Sequence, residues 1–325
     1  MRKAFSLIEV IFVLVILGIV ASISSQIIVQ VYENYITQNA LYRTSTKTEM
    51  AINQIVNRLT FAIEGTTISK DPLSPNAYTA SSEDVNWIDL NGIDISLPNY
   101  KIFTTIEWIG YDNDSFSAGE APYWSGLANY NGSATTRNNF ETPGSQLVLA
   151  NNIIKNLSNN KVALDGTGTG SNGGLPAVLF SGEDYSSTIK YDPACMGLIN
   201  EHNTTCISSV SMSAINGATN FTFSDNRPKK IYERYKLAWS AYALVPQEIM
   251  KNGVGTGLFD LNLWYNYQPW NGDKYTDGKH SLLITNVSVL KFTENGGVIQ
   301  LKLCATENIG ADYNISSCKE KAIIK

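Results

Sequence analysis

Cys195, Cys206, Cys304 and Cys318 fall into two sequence-local pairs, and neither has the Cys-x-x-Cys spacing of a zinc ribbon or a thioredoxin-type redox site. Two local disulfides are the simplest reading, each worth ~3 kcal/mol by loop closure, and they suit an oxidising compartment. His202 lies inside the first pair as a zinc candidate, but it is one of only 2 histidines, too few for multi-histidine metal sites or histidine-based catalysis. Asn203 and Asn314 stand in Asn-x-Ser/Thr sequons, with Glu201 and Asp312 two residues before them. That is the extended form some bacterial N-glycosylation systems use, and both sites fall in cysteine-bounded loops where exposure is expected.

Asp112 with Asp114, and Asp273 with Asp277, offer oxygen ligands to Ca²⁺. Neither pair follows an EF-hand pattern, so solvated turns are the simpler reading. Gly168-Thr-Gly170-Ser-Asn-Gly173 has the letters of a dinucleotide fingerprint and follows a strand-like run, Lys161 to Leu164. It leads through Pro176 into a further strand where the fingerprint needs a helix, and so reads as a flexible hairpin loop. Lys230, Tyr232, Arg234 and Lys236 alternate with Ile231, Tyr235 and Leu237. On a strand, one face would then hold cations for phosphates and rings for bases. The formal net charge of −5 favours a solvated face that resists edge pairing, which makes nucleic acid an unfavoured partner. No nucleophile elbow, HExxH or P-loop is evident, so no enzyme and no cofactor are expected.

The elements that would carry these residues begin with Met1-Arg-Lys-Ala4, then Phe5-Ser-Leu-Ile-Glu9 and an apolar run from Val10 to Ala21 prolonged by Ile27, Ile28 and Val29. A helix over 5–29 approaches the ~30 Å of a bilayer core, and Arg2 and Lys3 hold its start in the cytoplasm, leaving the remainder outside. Glu9 is the anomaly. A carboxylate there costs up to a few kcal/mol and calls for a cation. A cut between Ala4 and Phe5 would supply one, the new α-amine of Phe5, in the same chain or in a neighbouring copy. A secretory signal ending near Ser22 and Ser24, or a plain signal anchor, explains neither Glu9 nor the helical pattern that follows. From Gln30 to Glu64 there is no Pro or Gly, and Ile52, Ile55, Val56, Leu59 and Ile63 keep helical spacing. One helix is therefore expected from Phe5 to Glu64, about 90 Å long, with Gly65 as its C-cap.

The segment Ala4-Phe5-Ser-Leu-Ile-Glu9 with its apolar run resembles the class III leader of type IV pilins and type II secretion pseudopilins. The resemblance implies that a prepilin peptidase cuts between Ala4 and Phe5 and methylates Phe5, and that Glu9 serves filament assembly. It also implies storage in the bacterial inner membrane as a single pass with the C-terminal domain in the periplasm, and partners that are other pilins met through the helix. Some pseudopilins bind calcium. Ala4 stands where the family usually has Gly, and no Pro lies near Gln26, which suits a minor component.

Beyond the helix (30–65 as its amphipathic half), residues 66–229 read as a strand- and loop-rich variable insertion. Short β-like runs are expected there at Lys101 to Gly110, Gln146 to Ile154, Ala177 to Phe180, Cys206 to Met212 and Asn220 to Phe223. Residues 230–325 read as an antiparallel meander: a long run from Lys230 to Val245, then Gly257 to Gln268, Leu282 to Thr293, a turn at Glu294 to Gly297, and Val298 to Ala305. Tyr235 to Val245, Gly257 to Trp264 and Leu282 to Phe292 resemble the sheet of J-type minor pseudopilins and W-type minor pilins. The expected fold is α+β: a long helix, its first half in the membrane, on an antiparallel sheet with a large insertion. The expected function is a non-catalytic tip or initiation subunit of a secretion or pilus-like machine. A pilus-tip protein binding an adhesion ligand or DNA through 66–229 is the alternative.

Overall fold

The computed structural model describes residues 7–70, 87–89, 94–97, 105–180, 195–199, 203–212, 218–224, 227–228, 230–251, 253–295, 297–310 and 313–324. A single 53-residue helix, α1 (Leu7–Leu59), spans about 80 Å at ~1.5 Å per residue. In its second half Ala40, Thr44, Thr48, Ala51, Ile52, Ile55 and Leu59 are buried, recurring every three or four residues as one inward stripe. The helix stops at Leu59 and not at the expected Glu64. Phe61 to Ile63 leave the helical ladder to pair with a strand: the Ile63 amide donates to the Ile109 carbonyl (2.8 Å) and the Tyr111 amide to Phe61 (2.9 Å). Gly65, at φ 75°, turns the chain after that pairing and caps nothing.

The remaining elements, in chain order, are β1 (Ile68–Lys70), β2 (Trp87–Asp89), β3 (Asp94–Leu97), β4 (Thr105–Gly110), the short α2 (Asn113–Phe116), β5 (Asn139–Glu141), α3 (Leu147–Ser158), β6 (Ala177–Phe180), β7 (Ser208–Met212) and β8 (Asn220–Phe223). They continue as β9 (Tyr235–Ala238), β10 (Ser240–Lys251), β11 (Val254–Tyr267), β12 (Lys279–Asn295), β13 (Val298–Asn308) and β14 (Asn314–Ile324). A nine-stranded sheet runs in the order β14-β13-β12-β11-β10-β4-β1-β2, with β3 also on β12, and a five-stranded sheet runs β5-β8-β7-β6-β9. The described pairings are antiparallel. The fold is thus the expected α+β arrangement of an apolar amino-terminal helix followed by antiparallel sheets. Residues 66–229 are shared between the two sheets: β1 to β4 join the strands of 230–325, and β5 to β8 join β9.

Three local expectations fail for identifiable reasons. Gln146 to Ile154 is helix, not strand, because Leu147, Ala150, Ile154 and Ser158 bury one helical face while Leu149 and Leu157 point outward and obscure the period. Lys161 to Leu164 forms no strand, though Val162 to Leu164 are buried: the Leu164 amide donates to Asn151 Oδ1 (2.7 Å) and the Ala163 amide to the Gly174 carbonyl (2.9 Å). The run Lys230 to Val245 is two strands, because the chain changes sheets at the buried Trp239, β9 pairing with β6 and β10 with β4.

Alternation along these strands separates three apolar clusters. Ile52, Ile55 and Leu59 of α1 meet Trp108, Leu244, Leu261, Leu290 and Leu301 on one face of the large sheet. The opposite face, with Ile109, Ala241, Ala243 and Tyr267, meets Leu179 and the loop of Cys195 and Cys206. Phe180, Tyr235 and Leu237, on the far side of the small sheet, pack with Phe140, Phe221 and Ile154 of α3. The order of layers is therefore α1, large sheet, small sheet, α3.

Candidate functional site

The leader cut at Ala4 and Phe5, and the methylation expected on Phe5, lie outside the described residues. Glu9 is described: it occupies the first turn of α1, where a carboxylate suits the helix dipole. It is solvent-facing and makes no ion pair or hydrogen bond among the described residues. Around it Leu7, Ile8, Ile11, Phe12 and Leu14 are all exposed, and the exposure of large apolar side chains continues to Val31. The helix is long and apolar enough to cross a membrane, with a mean hydropathy of 2.8 in its most apolar window and none of that window buried within the chain. So much exposed apolar surface needs lipid or other helices to cover it. Below it the helix is fixed to the sheet by polar contacts as well as its stripe. The Thr44 hydroxyl donates to Glu307 (2.9 Å), and Glu49 pairs with Lys321 (3.0 Å) and Lys319 (3.5 Å) of β14.

Residues 1–25 match the family model described as the prokaryotic N-terminal methylation motif. The chain carries a pilin-type leader. No curated protein and no solved structure matches it. The pilin-type leader marks a substrate of the prepilin-peptidase class, and proteins that carry it are generally structural. With the apolar helix behind it, it fits inner-membrane anchoring followed by assembly into a filament.

The four cysteines form two disulfides, Cys195 to Cys206 and Cys304 to Cys318, with Cα separations of 5.3 and 4.0 Å. The second joins directly opposed residues of β13 and β14. His202 lies outside the described residues, as do Glu201 and Asp312 of the extended sequons. Asn203 is only half-exposed and accepts a hydrogen bond from the Thr205 hydroxyl (3.1 Å). Asn314 is exposed, but at the first position of strand β14 instead of in a loop.

The acidic pairs are used separately within the fold. Asp273 pairs with Lys161 (2.9 Å) and accepts from Ser171 (2.6 Å), while Asp277 accepts from the Lys274 amide (2.8 Å). Asp112 caps α2 and accepts from both the amide and the hydroxyl of Ser115, and Asp114 stays at the surface. Among the described residues no group of three or more His, Cys, Asp or Glu comes together to hold a metal ion. The glycine-rich segment is the expected loop, with no α-helix opening at its third glycine, and it folds back on the run before it: the Gly170 amide donates to the Lys161 carbonyl (2.9 Å). A Cβ on Gly174, at φ 58°, would meet that same oxygen at 2.0 Å. The expected basic face over 230–236 is absent, because strand begins only at Tyr235 and the Lys236 ammonium lies over the Tyr111 ring at 4.3 Å.

Burial pushes the Asp112 carboxyl up to about 6, against the hydrogen bonds from Ser115 and with help from Asp114. A folded-state value above the unfolded one means a contribution fully present below about pH 4 and lost as pH rises through about 6, on the order of 3 kcal/mol. Asp112→Asn keeps the acceptor and removes the charge. Urea unfolding should therefore show that the variant loses most of this pH dependence and is the more stable protein at pH 7.5; parallel pH profiles would refute the assignment.

One buried polar group had no sequence signal. Lys70 on β1 and Glu107 on β4 form an ion pair with 9% and 1% side-chain exposure, and the hydroxyl of the fully buried Tyr267 donates to Glu107 Oε1 at 2.8 Å. Burial lowers the Lys70 ammonium against the pull of Glu107, and burial followed by the charge of Glu107 holds the Tyr267 phenol well above its usual range. A lone Lys and a lone Glu in different strands have no motif. Only the register of β1 on β4, with Ile68 opposite Glu107 and Lys70 opposite Thr105, puts them diagonally on one face.

Proposed function

We propose that this chain is a minor pilin or pseudopilin, a non-catalytic filament subunit of a type II secretion or type IV pilus-like machine. The observation that carries the reading is the methylation motif at residues 1–25, set on a helix whose first half exposes continuous apolar surface. In this reading the peptidase cuts between Ala4 and Phe5 and methylates Phe5. Glu9 then neutralises the Phe5 amine of a neighbouring subunit, which sets register more than it adds stability. The sheets lie outside the membrane, where the two disulfides suit the redox conditions. A place at the tip or in initiation follows from bulk, because a second sheet with its own aromatic core needs more lateral room than a stacked shaft subunit has.

The test is amino-terminal mass spectrometry of the mature protein from cells with and without their prepilin peptidase. A peptide beginning at N-methyl Phe5, lost without the peptidase, is expected. An intact Met1 or a cut near Ser24 would overturn the reading. A pilus-tip protein that binds an adhesion ligand or DNA through residues 66–229 is the second reading, supported by the aromatic core that β5 to β8 of that span build with β9. Substitutions on the exposed surface of β5 to β8 should then abolish adhesion or DNA uptake while filaments persist.

A further inference from the structure

We propose that Lys70 and Glu107 condense to a side-chain amide, an intramolecular isopeptide bond that the folded domain makes for itself. The geometry comes from neighbouring strands: the two side chains share one face of the β1–β4 pair, Lys70 Nζ is in contact with Glu107 Oε2, and Tyr267 donates to Oε1. Ile68, Ile109, Ala243, Trp270 and Tyr275 belong to the apolar cluster on this side of the sheet. The reaction starts with transfer of one proton from the ammonium to Oε2, a step that burial eases because an apolar site penalises two ions more than a neutral amine beside a neutral acid. The lowering of Lys70 by burial acts in the same direction.

From the neutral pair the reaction is a condensation. The Nζ lone pair attacks Cδ of Glu107 and forms the N–C bond, and negative charge gathers on Oε1, where the Tyr267 hydroxyl already points. The Cδ–Oε2 bond then breaks, and Oε2 leaves as water with its own proton and one from the amine. An amine and an acid become an amide and one water, with no change in oxidation state and no co-reactant. Tyr267 keeps its proton throughout, as its raised titration requires. Two causes drive the step forward. The groups are held in contact, which removes the entropic cost of bringing them together, and the product removes two buried charges from the core. Neither depends on the filament reading, so the bond is expected whichever machine uses the chain.

The experiment is peptide mapping of the full-length protein purified from membranes, reduced and digested, with mass spectrometry of the fragments bearing residues 70 and 107. The expected product is one branched peptide, lighter than its two parts by one water and uncleaved by trypsin after Lys70. Two separate peptides at full mass, from protein whose disulfides had formed, would overturn the proposal. Lys70→Met/Glu107→Gln, which leaves a neutral and similarly sized pair, should give only unlinked peptides. Tyr267→Phe keeps the ring and loses the donor, and pulse-labelled protein should then link about 100-fold more slowly. An unchanged rate would remove Tyr267 from the mechanism.

Discussion

Glu9→Ala is expected to reduce incorporation of this subunit into filaments by about 30-fold, while the disulfide-bonded domain folds as before. The figure follows from about 2 kcal/mol for leaving the neighbour's Phe5 ammonium without its partner in the assembled core, at 1.4 kcal/mol per tenfold. Among the described residues Glu9 pairs with nothing, so its removal takes no contact from the folded chain. In the membrane the alanine variant should even be the easier one to store, since a carboxylate in a spanning helix costs up to about 3 kcal/mol. The loss must therefore appear on assembly. Immunoblots of sheared filaments against the membrane pool measure it, and Glu9→Gln, which keeps the shape and loses the charge, should fail in the same way. Normal incorporation of either variant would refute the pairing.

Lys70→Met should cost the folded domain at least about 3–5 kcal/mol, because it prevents the cross-link and leaves the Glu107 carboxylate in the core with Tyr267 as its one remaining described partner. Against a typical total of about 5–15 kcal/mol this is a large share, and thermal unfolding by circular dichroism should show a midpoint lowered by many degrees. Lys70→Met/Glu107→Gln removes the stranded charge, keeps an acceptor for the Tyr267 hydroxyl, and should recover the part of the loss that the charge causes but not the part that comes from the missing cross-link. A single variant within about 1 kcal/mol of the parent would mean that water reaches the pair.

The features legible in the sequence are those that repeat along the chain. The leader announces itself through residue types at fixed positions, the stripe of α1 through its three-and-four spacing, and β11 to β13 through alternation bounded by turns. The misreadings share a cause, since each fell where burial is set by distant partners. Helix α3 has apolar residues on its exposed face as well as its buried one, so its period is blurred. Val162 and Leu164 are apolar because the cluster around α3 and the small sheet closes on them, and the amides of Ala163 and Leu164 go to a glycine carbonyl and a side chain in place of a strand. Trp239 marks a change of sheet inside what reads as one strand, a decision made by β4 and β6 far away in the chain. The Lys70–Glu107–Tyr267 group is the extreme case, three ordinary residues made notable by register alone.

The way α1 ends has a mechanical consequence. The helix does not hand the chain to an edge strand: Phe61 to Ile63 are hydrogen-bonded to Ile109 and Tyr111 at the end of β4, an interior strand flanked by β10 and β1. A pull along the helix axis therefore enters the sheet at its interior and spreads through β4 to the long ladders of β10 and β11. The short β1, next along the chain, is shielded from that load by the bonds that precede it. For a subunit anchored by its helix and dragged by whatever its outer face holds, this arrangement resists peeling, because many hydrogen bonds must yield together before any strand can unzip.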